Sequence, residues 1–149
     1  MMAGMIEIGV LRPDDRPRWE TLARAYKAFY ETEVPDEGYE HTWQRLLAAT
    51  DVHGLAARLD GNAVGIAHYL VHSDPWSTGS LYLQDLYTDE SARGRGVARA
   101  LIEAVADIAR ELGVFRYYWQ TRQDNERARA LYDKVAVFRG FVRYDYPLG

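Results

Sequence analysis

Residues 93–99 carry glycines and arginines between a β-rich run and an amphipathic helical pattern. Glycine has no side chain, so the backbone at Gly94 and Gly96 can approach a ligand closely. The free N–H groups of the helix that follows lie at the partly positive end of its dipole, where anions such as phosphate bind. The segment therefore predicts a site for one phosphorylated ligand, although glycine and arginine also precede helices by chance.

Half of a dinucleotide-binding fingerprint, Gly94-x-Gly96, is present in the same segment. That fingerprint places its glycines in a tight turn directly after the first strand of an α/β unit. Here five mostly polar residues follow the strand, the preceding strands are predicted to be antiparallel, and Arg99 stands where the third glycine belongs. The spacing therefore argues against a dinucleotide-binding fold.

The composition limits the chemistry that such a site could serve. The chain of 149 residues contains no cysteine, which excludes disulfides, thiolate metal sites and a cysteine nucleophile. A transferred group must therefore use another covalent carrier or pass directly between two bound substrates. We expect no metal.

The charge and hydropathy patterns limit the partners. The net charge is −4 and the arginines are scattered, whereas nucleic-acid binders show a basic excess or stripe. No apolar run approaches the ~18 residues of a membrane span, and the N-terminus lacks the apolar core of a signal peptide. We therefore expect a cytoplasmic protein with no nucleic-acid or membrane partner.

The periodicity of apolar residues predicts the elements that position the phosphate site. Strands are predicted at 6–11, 55–59, 63–71, 81–88, 114–121 and 141–146, and helices at 13–31, 40–49, 97–112 and 125–135. Asp60-Gly61-Asn62 predicts a hairpin between the second and third strands. Three antiparallel strands followed by a β-α-β unit indicate an α+β fold, an α/β/α sandwich whose mixed sheet is mostly antiparallel. No repeat or linker interrupts residues 1–149, which we expect to form a single domain.

Two blocks of sequence together resemble the GNAT superfamily of N-acetyltransferases. The first, Arg93-x-x-Gly96-x-Ala98, fits the pyrophosphate signature of that superfamily, and the second is the run NERARALY at 125–132. The predicted order of elements is similar over nearly the whole chain. The resemblance implies the GNAT fold with a splayed pair of parallel strands. It also implies transfer of an acetyl group from acetyl-coenzyme A to a primary amine.

The resemblance implies roles for residues around the two blocks. Backbone groups of Leu86, Tyr87 and Thr88 would pair with the pantetheine arm of the cofactor like an added strand. Asn125 would bind the cofactor arm or the substrate, and Ala128 would lie against the cofactor. The pyrophosphate would be wrapped by the loop and first helical turn, namely Arg93, Gly94, Arg95, Gly96, Val97, Ala98 and Arg99.

Tyr132 would reach the thioester sulfur, and the chemistry of acetyl transfer agrees with this role. The reaction passes through a tetrahedral oxyanion, which a backbone N–H near Leu86 could stabilise. The departing thiolate needs a proton, and a phenol with a pKa near ~10 is a suitable donor. The alternative for Tyr132 is simple core packing. Because no cysteine can carry the acetyl group, direct attack by the amine in a ternary complex is favoured.

The identity of the residue that deprotonates the amine stays open. The segments 68–71, 74–76 and 83–86 resemble the polyamine and diamine acetyltransferase branch, in which a glutamate commonly stands at the position of Gln84. An amide cannot accept the proton. Asp85 is the nearest carboxylate, although it alternates in direction with Gln84 along a strand. His72 and a chain of waters are the other candidates, and we expect Asp85 to assist through water.

The acceptor site is predicted to be acidic and aromatic. The loop that borders the acceptor pocket in this superfamily carries four acidic residues, Glu31, Glu33, Asp36 and Glu37. They could attract a cationic amine, or they could simply form a solvated loop. Aromatic walls for an ammonium could come from Tyr30, Tyr39, Trp43 and Trp76.

The C-terminal segment departs from the usual family ending by four extra residues before Gly140-Phe141. In relatives with such endings the last strands often take part in dimer contacts, so we expect a homodimer. Three functions remain open: acetylation of a small amine, polyamine or amino acid; acetylation of a protein lysine or N-terminus; and a non-catalytic sensor of acyl-coenzyme A. The intact Tyr132 argues against the last.

Overall fold

The computed structural model describes residues 5–149. The strands of this part of the chain are β1 (Ile6–Val10), β2 (His53–Leu59), β3 (Asn62–His72), β4 (Ser80–Thr88) and β5 (Arg116–Tyr118). The α-helices are α1 (Arg16–Phe29), α2 (Asp36–Ala48), α3 (Val97–Leu112) and α4 (Glu126–Val135). Short 3-10 turns at Pro13–Asp15 and Glu90–Ala92 precede α1 and follow β4.

The five strands form one sheet in the order β1-β2-β3-β4-β5. The first four pair antiparallel, and the turn between β2 and β3 consists of Asp60 and Gly61, both at positive φ, as the sequence predicts. β4 and β5 are parallel, and they pair only through residues 80–82 and 116–118. Beyond that point the two strands part, so the predicted mixed sheet with a splayed parallel pair is confirmed.

Helices cover both faces of the sheet. On one face α1 and α2 bury Trp19, Leu22 and Trp43 in a cluster that includes Ile66 of β3. On the other face α3 presents an apolar stripe at helical spacing, Val97, Leu101 and Val105, to the apolar residues of β2, β3 and β4. This layering confirms the α+β sandwich.

A β-bulge interrupts β4 at Gln84. His68 of β3 pairs with Asp85 and Tyr69 pairs with Leu83, so Gln84 has no opposite residue. A bulge bends the strand and changes the direction of its side chains. Gln84 is exposed as a result, while Asp85 points with His68 toward α1.

Several predicted boundaries differ from the structure by a few residues, and those of α2 and β5 have a clear physical reason. Helix α2 begins at Asp36 rather than at 40, because Pro35 supplies the extended residue before it and Asp36 and Glu37 suit its first turn. Strand β5 covers 116–118 rather than 114–121, because β4 diverges and leaves the later residues without a partner.

The predicted strand at 141–146 is wrong for this structure. Residues 136–149, here called the tail, follow α4 without forming any strand. Phe141, Tyr144 and Tyr146 are 87%, 90% and 86% exposed. Residues 141–146 have the composition of a strand, but a strand also needs an edge to pair with, and the tail pairs with no strand among residues 5–149.

Candidate active site

The loop before α3 presents a surface of free N–H groups. Gly94 and Gly96 both have φ of 81°, and a Cβ added at either would meet nothing within 4 Å, so the space before the loop is open. No side chain caps α3, and its first intrahelical bond runs from the N–H of Ala100 to the carbonyl of Gly96. The N–H groups of the first turn of α3 therefore have no partner within the helix, and helix N-termini of this kind suit anions.

The arginines of this loop and of the first turn of α3 differ in the contacts that they make. Arg93 donates from Nε to the carbonyl oxygen of Thr88 at 3.3 Å and lies over the ring of Tyr87 at 5.7 Å. Arg99 pairs with Glu103 at 3.0 Å on the exposed face of α3. Arg95 is exposed. If a pyrophosphate binds here, its main donors are the backbone N–H groups. The three arginine side chains lie in the same loop and first helical turn.

The gap between β4 and β5 adjoins this loop. Leu86, Tyr87 and Thr88 pair with β3 on one side, and β5 has already diverged from their other side. An unpaired strand edge offers backbone donors and acceptors to an extended ligand, which can add to it as a strand does. The structure thus fits the pantetheine arm that the resemblance implies.

Helix α4 follows β5, the strand on the other side of this gap. The side-chain oxygen of Asn125 accepts a hydrogen bond from the N–H of Ala128 at 3.4 Å, and its amide donates to Thr121 at 3.1 Å. Asn125 is thus the cap of α4. Two turns later the ring of Tyr132 packs edge-on against Trp119, with centroids 5.4 Å apart.

Three phenols form a cluster between α1 and α4. The rings of Tyr26 and Tyr30 lie 5.0 Å apart. Burial and, to a smaller extent, the nearby Tyr30 together raise the pKa of Tyr132 to about 12. Burial also raises the pKa of Tyr26, with contributions from Asp85, Tyr30 and Tyr132. Tyr26, Tyr30 and Tyr132 are here called the tyrosine cluster, and the raised pKa values of Tyr26 and Tyr132 keep these two phenols protonated at neutral pH.

Asp85 is the end of a buried hydrogen-bonded chain. Nε1 of Trp19 donates to Nε2 of His68 at 3.0 Å, and Nδ1 of His68 lies 2.9 Å from Oδ2 of Asp85. An indole N–H can only donate, so Nε2 of His68 accepts and its Nδ1–H donates to Asp85. These two hydrogen bonds thus fix the tautomer of His68 and the position of the Asp85 carboxylate.

These contacts set the ionisation of Asp85. Burial alone would raise the pKa of this carboxyl, but the hydrogen bonds from His68 and Tyr26 and the charge of Lys27 outweigh it. The pKa of Asp85 therefore lies below its ordinary value, and the group is a carboxylate at neutral pH. A carboxylate of low pKa is a weak base and a suitable partner for a cationic amine.

The residues predicted to line the acceptor site lie in separate parts of the structure. Glu31 and Glu33 line an open groove of about 840 Å³ beside α1, which Tyr39 also lines. Tyr30 belongs to the tyrosine cluster. Trp76 is 93% exposed in the turn that precedes β4. Trp43 is buried against Trp19, where it serves the core.

Sequence reasoning missed four residues of this site, Trp19, Tyr26, Lys27 and His68. Trp19 and Tyr26 follow the helical spacing of core residues, which concealed their polar contacts. His68 lies on a strand whose pattern gave no sign of its partners. His72, the other histidine considered, instead contacts the hydroxyl of Tyr118 at 2.8 Å, at the far end of β3.

The chain belongs to the Acetyltransferase (GNAT) family, whose model matches residues 19–136. The predicted resemblance to the superfamily and to its amine-acetylating branch is confirmed. The chain is therefore an acyltransferase that acts on a primary amine.

Two curated proteins are similar over most of the chain. The D-amino-acid N-acetyltransferase HPA3 of Saccharomyces cerevisiae is 39% identical over 148 residues, covering 97% of this chain and 92% of that protein. The L-2,4-diaminobutyric acid acetyltransferase of Streptomyces coelicolor is 30% identical over 130 residues, covering 85% and 74%.

A solved structure supports the fold. The aminoglycoside N-acetyltransferase AAC(6')-Iy in complex with CoA superposes with a TM-score of 0.85 at 20% identity, covering 97% of this chain and 96% of that one. Within residues 5–149, no helix has both the length and the apolar character needed to cross a bilayer. The same residues contain no group of three or more His, Asp or Glu side chains placed to hold a metal ion.

Proposed function

We propose that residues 1–149 form one N-acetyltransferase domain that acetylates a small amine, with an amino acid as the favoured acceptor and acetyl-coenzyme A as the donor. The ionised Asp85 beside the tyrosine cluster, at the point where β4 and β5 part, carries this proposal. The names of the two curated relatives support it, since both state an amino acid as the substrate.

Acetyl-coenzyme A supplies an acetyl group activated as a thioester. In the proposal its pyrophosphate is held by the free N–H groups and side chains of Arg93, Gly94, Arg95, Gly96, Val97, Ala98 and Arg99. Leu86, Tyr87 and Thr88 bind its extended arm along the open edge of β4. Asn125 and Ala128 border the arm from the start of α4.

Tyr132 is the proposed acid. With a pKa of about 12 it holds its proton until the sulfur departs, and it then donates that proton. The backbone N–H at Leu86 stabilises the negative charge that develops on the carbonyl oxygen. Because the chain has no cysteine, the amine attacks directly while both substrates are bound.

Asp85 and Gln84 are proposed to serve the amine. Asp85 attracts the ammonium and assists loss of its proton through a water, since a carboxylate of lowered pKa is too weak a base to act alone. Gln84, on the bulge, cannot accept a proton and hydrogen-bonds the acceptor. Glu31, Glu33 and Tyr30 border the acceptor from the groove side. Trp76 is assigned to the acceptor on the family resemblance alone.

A homodimer is part of the proposal. The tail exposes a series of apolar side chains, including Val142 at 75% and Leu148 at 96%. Soluble monomers rarely leave a continuous apolar patch in water. The free edge of β5 and the unpaired tail complement each other, so each tail would cover its partner's sheet. We assign the protein to the cytoplasm, in agreement with its lack of cysteine.

An acetylation screen tests the proposed function. The panel contains D- and L-amino acids, diamines, polyamines and lysine-bearing peptides, and release of free coenzyme A thiol is measured. The cysteine-free chain adds no thiol background. We expect turnover of amino acids above all other acceptors. Turnover of peptides alone would indicate a protein acetyltransferase, and binding of acetyl-coenzyme A without any turnover would indicate a sensor.

A further inference from the structure

Lys27 of α1 carries an unpaired positive charge in a region where the neighbouring cations are paired. Arg16 bonds Glu20 and Glu40, and Arg24 bonds Glu20 and Asp36. No carboxylate among the described residues forms an ion pair with Lys27. The side chain is half-buried, so its charge is available to a ligand but only partly solvated.

Lys27 lies beside the proposed acceptor site. It lines the groove that also contains Glu31 and Glu33, and its Nζ is 5.8 Å from the centre of the Tyr26 ring. Tyr26 and Asp85 influence each other's pKa, and the charge of Lys27 is among the influences that lower the pKa of Asp85. A free cation and a fixed carboxylate therefore both lie near Tyr26.

This charge arrangement complements an amino acid. An amino acid has an ammonium and a carboxylate on one carbon, whereas a simple amine or polyamine has positive charge alone. Arg24 also lines the groove, but its guanidinium is engaged by two carboxylates and by the ring of Tyr39, 4.2 Å away. Glu31 and Glu33 would repel a substrate carboxylate. Lys27 is thus the group in the groove suited to receive one.

We propose that Lys27 binds the carboxylate of the acceptor and thereby makes the enzyme select amino acids over amines that lack a carboxylate. The inference rests on the proposed function, because it requires the amine to lie against Asp85. Lys27 is a specificity-determining residue in this view and takes no part in the chemistry. Its removal should raise KM for an amino acid and leave the transfer step intact.

The test compares phenylalanine, in both enantiomers, with phenethylamine, which is the same molecule without its carboxylate. Lys27→Met keeps the length of the side chain and removes its charge, and Lys27→Arg keeps the charge. The other lysine, Lys134, is exposed on α4 and gives the matched control Lys134→Met. Calorimetry of phenylalanine binding accompanies the kinetics.

The wild type should prefer phenylalanine. In Lys27→Met the ratio of kcat/KM for phenylalanine to that for phenethylamine should fall about 10- to 100-fold, the range for loss of one charge-assisted hydrogen bond. The fall should appear in KM and in the measured affinity, and Lys27→Arg should restore most of the ratio. Lys134→Met should match the wild type.

Two results would overturn the inference while the proposed function stands. One is a wild type that acetylates both acceptors equally well. The other is a Lys27→Met variant in which both acceptors lose activity in proportion, which would mean that Lys27 only supports Tyr26. If the wild type acetylates neither acceptor nor any other amine in the screen, the proposed function fails and the inference falls with it.

Discussion

Trp19 and His68, 49 positions apart in the sequence, share a buried hydrogen bond that leaves His68 no place for a second proton. Protonation of Nε2 would set two N–H donors against each other. Nδ1 of His68 therefore carries a proton, which it donates to Asp85. The carboxylate consequently keeps its negative charge for the acceptor.

Loss of this bond should make acceptor binding depend on pH. In Trp19→Phe no N–H donor faces Nε2 of His68, so this atom can take up a second proton and the cationic ring would neutralise Asp85. We expect KM for the acceptor to rise as the pH falls from 8 to 6 in the variant. In the wild type, Asp85 should not titrate in that range, because its pKa is lowered from 3.8 and its charge is lost only below that value.

A second substitution isolates the cause of that effect. His68→Asn in the Trp19→Phe background removes the titrating ring, so the added pH dependence should disappear. Thermal unfolding of each variant separates this effect from loss of folding, since Trp19 is 1% exposed and its replacement leaves a cavity. Equal pH profiles in Trp19→Phe and the wild type would show that the bond has no role in acceptor binding.

Gly96→Glu should abolish binding of acetyl-coenzyme A. The added carboxylate would enter the open space before α3 and repel the pyrophosphate. Gly96→Ala is the matched control, because it imposes the same strain at a φ of 81° without charge or bulk. Calorimetry should show a modest loss for alanine and no detectable binding for glutamate. Wild-type affinity in the folded Gly96→Glu protein would rule out this loop as the phosphate site.

Tyr132→Phe should lower kcat by about 10²- to 10⁴-fold, the usual contribution of a proton donor in the transition state. Affinity for acetyl-coenzyme A should change little. Tyr146→Phe, in the exposed tail, is the control for removal of a phenol. Because the pKa of Tyr132 is raised to about 12, its proton is lost only near that pH, so Tyr132 should produce no fall in rate through pH 10. An unchanged kcat would reduce Tyr132 to a packing residue.

Deletion of residues 137–149 should convert a dimer into a monomer in sedimentation velocity. The deletion removes the exposed apolar residues of the tail while keeping α4, which ends at Val135. Tyr144→Asp should weaken the dimer by placing a charge in the apolar contact, and Asp145→Asn, a change at the next position, should not. A truncated chain that stays dimeric would place the contact elsewhere.

Local signals were enough to predict the glycine loop before α3 and most of the sheet. Gly94 and Gly96 before an apolar helical stripe, and Asp60-Gly61 between two β-rich runs, determine structure within a few residues of themselves. The chain from Trp19 through His68 to Asp85 depends on the packing of α1 across β3 and β4, which no local pattern contains. In the tail the local pattern is present but misleading. Residues 141–146 have the composition of a strand, yet whether they pair depends on a sheet edge that another part of the protein must supply.

The low pKa of Asp85 and the raised pKa values of Tyr26 and Tyr132 leave these groups without a change of charge near neutral pH. The basicity of the acceptor then becomes a selection criterion in its own right. At pH 7 an amine with a pKa of about 8 is roughly 10% neutral, whereas one with a pKa of about 10.4 is neutral in roughly one molecule in 2,500. If both amines of an acceptor can reach the thioester equally well, the less basic nitrogen would therefore be acetylated, independently of the shape of the groove.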